Sequence, residues 1–142
     1  MFANINYLSI FVAAVAAWLF GAVYYTALSN PWQRAQGLDP ETCRAEMATR
    51  SKLVMFGPFV LAFVGALIMA FVFYGVLVHL KTFNLRAGLI SAAFLWFGFV
   101  LTTMTVNNAF SQRKAMLTVI DSLHWLGGML IIGAIVGAWG QP

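Results

Sequence analysis

Two side chains capable of acid–base chemistry, Asp121 and His124, interrupt an otherwise apolar run from Met116 to Trp139. Three positions apart, they share one face of a helix, and Gly128 continues that face. Such a pair has the means to share a proton, bind a cation or hold the polar head of a ligand. The structural alternative makes Asp121 the cap of a helix that begins at Ser122. Tyr24, Tyr25, Asn107 and Asn108 end other apolar runs and complete a candidate polar site. The remaining chemical inventory is thin. One cysteine and two histidines do not assemble a zinc site. His79 and His124 differ in depth by more than ~15 Å at the helical rise per residue, too far apart to share one iron. There is no H-E-x-x-H, G-x-S-x-G or phosphate-cradling glycine loop. A single carboxylate within the apolar runs rules out a paired-acid mechanism in one chain. These residues point away from an enzyme and require no cofactor or metal.

The elements that must position them follow from composition. Of 142 residues, 62% are hydrophobic and 8% charged, against roughly 45–50% and 25% in soluble domains. Four acidic side chains cannot solvate a globular surface, and one cysteine excludes a disulfide scaffold. The net charge of +4 comes from scattered basic residues and forms no stripe for nucleic acid. Four apolar runs emerge at about 7–28, 53–78, 87–106 and 116–139. The first, at about 1.5 Å per residue, is ~33 Å long and crosses a ~30 Å hydrocarbon core. It lacks a preceding Lys or Arg and is too long for a signal peptide, so it is expected to be retained. Gly57-Pro58 predicts a kink early in the second run. The expected fold is all-α: an integral membrane four-helix transmembrane bundle in a single domain, 1–142.

Basic residues orient it. The first and third loops carry Arg34, Arg44, Arg50, Lys52, Arg113 and Lys114, whereas the opposite side has only Lys81 and Arg86. By the positive-inside rule, loops one and three are cytoplasmic and both termini outside, in a bacterial inner (plasma) membrane. Loop one carries its own helix signal. Asp39-Pro40-Glu41 reads as a cap, a first-turn proline and a first-turn acid, and Glu46 and Arg50 stand four apart. A short cytoplasmic interfacial helix is expected there.

Helix association in lipid depends on close backbone approach. Small residues recur at spacing four: Ala13, Ala17 and Gly21; Ala62, Ala66 and Ala70; Gly88 and Ala92; Gly133 and Gly137. These are read as seams between helices of one chain, with Gly133/Gly137 also a candidate homodimer face. Trp32 and Trp139 suit the headgroup belt. Trp18, Trp96 and Trp125 instead fall about 13–15 Å from the cytoplasmic edge by helical rise, and are read as a buried aromatic layer or the lining of an apolar pocket.

One family shares this pattern. Phe20-Gly21-Ala22-Val23-Tyr24-Tyr25 followed by Trp32 and Gly37-Leu38 resembles the opening of domain of unknown function family 1761. So do Leu95-Trp96-Phe97-Gly98-Phe99-Val100 with Asn107-Asn108, and the ending Gly133-Ala134-Ile135-Val136-Gly137-Ala138-Trp139. The resemblance covers nearly the whole chain and implies a short four-span membrane protein of bacteria or fungi. It carries no established activity and no catalytic residue to transfer.

Two functions remain open. One is a structural or interaction module, with the lipid bilayer and a homo-oligomer or larger membrane complex as partners. The other is a small-ligand or ion- or proton-linked permeation protein, with Asp121 and His124 in a cytoplasmic-side polar vestibule.

Overall fold

The computed structural model describes residues 5–141; the first four residues and residue 142 of the expected domain lie outside the described residues, as do the side chains of Lys52 and Leu53. Four helices are long and apolar enough to cross a membrane. The first is α1 (Tyr7–Ala27). Loop one then folds into two short helices, α2 (Ser29–Ala35) and α3 (Pro40–Thr49). The second span is α4 (Lys52–His79), and the third runs without a break through α5 (Leu85–Leu95), a π-helical segment (Trp96–Leu101) and α6 (Thr102–Phe110). The fourth is α7 (Ala115–Trp139). No strand occurs among the described residues.

Local chemistry sets the ends. The Asn6 side chain caps α1 by accepting from the Ser9 N–H at 3.0 Å, and Asn84 caps α5 by accepting from Ala87 N–H at 2.8 Å. In loop one, Asp39 accepts from the Thr42 N–H at 3.0 Å, and Arg50 pairs with Glu46 at 3.5 Å. The helix expected in loop one is therefore present, and α2 precedes it. Helices α2, α4 and α6 each stop on a residue in the left-handed region, Gly37 (φ 83°), Lys81 (φ 52°) and Gln112 (φ 52°). In each case the next N–H reaches back to a carbonyl five residues earlier, the Schellman closure. Helix α4 passes through Pro58 uninterrupted.

The third span outruns the sequence limits of 87–106 at both ends. Its threonines do not terminate it. The Thr102 hydroxyl donates to the Gly98 carbonyl at 2.7 Å and the Thr105 hydroxyl to Leu101 at 2.7 Å, so each polar group is satisfied within the helix.

Helix α7 is the hub, packed chiefly on α5 and α1, while α4 leans mainly on α1. The core joins Ala13, Ala14 and Ala17 of α1, Ala66, Ala70, Phe73 and Leu77 of α4, Ala92 of α5, and Met129, Ile132 and Val136 of α7. Small residues set the α5–α7 distance. A Cβ on Gly88 would overlap the Gly133 carbonyl oxygen, and one on Gly137 would stand 2.6 Å from the Asn84 carbonyl oxygen. Gly133 and Gly137 are thus covered by α5 of the same chain, not left free as a face for a second copy.

The two ends of the bundle differ. At the end holding the N-terminus, the Asn6 backbone N–H donates to the Tyr74 hydroxyl at 3.3 Å and its side-chain amide to the Trp139 carbonyl at 2.9 Å, lacing α1 to α4 and α7. At the other end α4 stands apart. Residues 54–62 are exposed at every position, and burial in α4 begins only at Ala66. Elsewhere too, large apolar side chains face outward, Phe94 at 75% and Phe110 at 89% exposure. Such exposure is costly in water and matches hydrocarbon.

Candidate functional site

The space between the first half of α4 and the α1–α7 pair is a cavity of about 630 Å³. From α1 it is lined by Ala17, Trp18, Gly21, Ala22, Tyr25 and Thr26, and from α4 by Pro58, Phe59, Ala62, Ala66 and Met69. His124, Trp125, Gly128 and Ile132 of α7 form the third side. Ser29, Trp32 and Gln33 of α2, with Met47 of α3, lie over its loop-one end. The third span contributes no lining residue among those described. One hydrogen bond spans the gap: the Trp18 indole N–H donates to the Phe59 carbonyl at 3.0 Å.

Asp121 lies two turns inside α7, so it is not the cap of a helix beginning at Ser122; the helix starts at Ala115 because Leu117 and Ile120 are buried under α2. One carboxylate oxygen, Oδ1, accepts from the Tyr25 hydroxyl at 2.8 Å and from the Trp32 indole N–H at 2.9 Å. Three elements therefore converge on it. Tyr24 donates to the Ile120 carbonyl at 2.9 Å, one residue closer to the start of α7. Lys114 donates to the Arg34 carbonyl at 2.9 Å, placing a cation at the carbonyl end of α2. Together these bonds and the small cluster of Ala35, Leu117 and Ile120 fix α2 across the bundle end.

His124 makes no hydrogen bond to Asp121; its ring packs among others. Ring centroids lie 4.7 Å from Tyr25, 5.0 Å from Trp125, 5.6 Å from Tyr24 and 6.1 Å from Phe20. Its Nδ1 is buried without a hydrogen-bond partner among the described residues. An orphaned polar atom of this kind costs roughly 1–3 kcal/mol, so packing alone would favour an apolar residue there. Gly21 makes the arrangement possible, because a Cβ at that position would stand 2.7 Å from His124 Nε2. The residue read as one rung of a packing ladder is the seat of the imidazole.

Not every sequence candidate joins the site. Asn108 donates to the Thr118 hydroxyl at 2.9 Å and ties α6 to α7, away from the cavity, and Asn107 is exposed. Trp18 and Trp125 line the cavity, whereas Trp96 does not: its N–H donates to the Ser122 carbonyl at 2.7 Å. The three tryptophans share no ring contact among the described residues, so they form no single layer. Sequence reasoning missed Trp32 as a partner of Asp121 and assigned it to the headgroup belt. The signal was available. Tyr25 and Trp32 are seven apart, two helical turns, and therefore share a face if the chain stays helical across Leu28. It nearly does, with Leu28 N–H donating to the Tyr24 carbonyl and Trp32 N–H to the Leu28 carbonyl.

Four membrane-length apolar helices, three of them lining an apolar cavity, define a multi-pass helical membrane protein. The chain belongs to the family described as Protein of unknown function (DUF1761), whose model matches residues 8–137. No curated protein and no solved structure matches it.

Proposed function

We propose that this protein is a non-enzymatic binding protein that takes up a small apolar or amphipathic molecule between α1, α4 and α7. The observation that carries the proposal is the cavity. Its volume of about 630 Å³ falls within the roughly 300–1,000 Å³ of ligand pockets. Its lining is apolar toward Ala66 and Ile132, with hydroxyl, amide and indole groups at the end held by α2. A ligand with one polar end fits that gradient. Sidedness belongs to the same proposal: loops one and three in the cytoplasm of a bacterial inner membrane put the polar end on the cytoplasmic side.

Self-association through Gly133 and Gly137 draws no support from that pair, because both are engaged inside the chain. Permeation would need further subunits, since the apolar lining of this cavity supplies no continuous polar path.

The test is chemical. Protein purified in a mild non-ionic detergent should release a near-stoichiometric small molecule on solvent extraction. The Ala62→Trp variant, which fills the cavity from α4, should release little of it. Identical extracts from both proteins would refute the proposal.

A further inference from the structure

The cavity is sorted by charge as well as by shape. Tyr25, Trp32, His124 and Trp125 form one run of neighbouring rings across α1, α2 and α7. The centroid distances are 5.4 Å from Tyr25 to Trp32, 4.7 Å from Tyr25 to His124 and 5.0 Å from His124 to Trp125. Asp121, the only acidic residue in the four spans, sits directly behind this wall. Tyr25 and Trp32 each donate their single polar hydrogen to its Oδ1. Ring faces carry negative potential and attract cations, most strongly where water is excluded. Donating a hydrogen to a carboxylate enriches that potential, and the carboxylate adds a direct attraction that an apolar surrounding does little to screen. No lysine or arginine lines the cavity among the described residues. An anion would meet this aromatic lining and Asp121 together.

We infer that the ligand is a hydrophobic organic cation, a quaternary ammonium- or phosphonium-type centre held against the Tyr25–Trp32–Trp125 wall with its apolar substituents toward Ala66 and Ile132. This inference rests on the binding function proposed above and adds charge selectivity to it. The guest is a free cation rather than the headgroup of a bilayer lipid, because the wall extends past His124 to Trp125, more than a helical turn beyond Asp121 toward the apolar end of the cavity.

The experiment uses the full chain in dodecyl maltoside micelles, with empty micelles as the partitioning control. Equilibrium dialysis compares tetraphenylphosphonium with neutral triphenylphosphine. The unmutated protein should bind the cation at least about tenfold more tightly, 1.4 kcal/mol per decade at 25 °C. Asp121→Asn should bring the two affinities within about twofold of each other while triphenylphosphine still binds. Equal affinities in the unmutated protein, or a preference that survives in folded Asp121→Asn, would overturn the inference and leave the binding function standing. Saturable binding of neither probe would overturn the inference, and the binding function would be decided by the extraction test alone. The first comparison needs no variant, so it holds even where Asp121→Asn fails to fold. Added phosphatidylcholine should displace the cation no better than phosphatidylglycerol does. Selective displacement by the choline lipid would assign the site to a headgroup and overturn a free cation.

Discussion

At the scale of single residues, the Trp32–Asp121 hydrogen bond is the joint between loop one and the bundle. Phenylalanine at position 32 keeps an aromatic face and removes the donor. A hydrogen bond to a charged group contributes roughly 1.5–3 kcal/mol, and Tyr25 still serves the same oxygen. Trp32→Phe is therefore expected to weaken the docking of α2 by about 1–2 kcal/mol, seen as faster proteolysis within loop one while the spans stay intact. Unchanged cleavage would show that the apolar contacts of Ala35 hold α2 without it. Asp39 gives a second prediction, in the solvent-exposed part of the chain. The Thr42 N–H, and then the Thr42 hydroxyl, hold its carboxyl below the usual carboxylate range. A depressed folded value means that the cap is fully effective above the ordinary aspartate range and is lost as pH falls through the folded value. Amide signals of α3 should report fraying on acidification. Asp39→Asn, which caps without a titrating group, should remove that pH dependence. Of the site itself, the pairing of Asp121 with His124 on one face was legible from spacing. Their separation into a hydrogen-bonded acid and a ring-packed imidazole was not, because it depends on Tyr25 and Trp32, which α1 and α2 bring from 96 and 89 positions away along the sequence.

At the scale of elements, the α5–α7 seam admits no added volume, since backbone meets backbone at Gly88 and Gly133. Gly88→Val should push the helices apart and destabilise the bundle by about 1–3 kcal/mol, the usual range for overpacking. The loss should appear as a lower unfolding midpoint in detergent, and an unchanged midpoint would mean that the seam is looser than described. The spans were legible because each is a long apolar run with at most one charged residue, Asp121 in the fourth, and membrane length is set by the bilayer rather than by fine sequence detail. Two features escaped. The polar heptapeptide α2 has no periodic apolar face, and its helix is secured by packing on α7. The π-helical turn at Trp96–Leu101 leaves no compositional mark, because one wide turn needs only a shift in hydrogen-bond register. Its position beside the Trp96–Ser122 bond suggests what the extra width accommodates: it brings the indole N–H onto a backbone carbonyl of α7.

At the scale of the whole molecule, sidedness has a direct probe. Cys43 is the only cysteine in the sequence and lies in α3 of loop one, partly exposed. With loop one cytoplasmic, a membrane-impermeant maleimide should leave it unlabelled in intact cells and label it in inside-out vesicles. The reverse pattern would invert the proposed topology and move the polar end of the cavity to the outer face. The arrangement of helices carries one more consequence, for biosynthesis. The helix that contacts all the others is the last of the four spans to leave the ribosome. Until α7 inserts, the α1–α4 contact is the main one available, Gly88 and Ala92 have nothing to pack on, and Tyr25 and Trp32 have no carboxylate between them. Before then α1 and α4 have each other to pack on, and the third span and the third wall of the cavity must wait for α7.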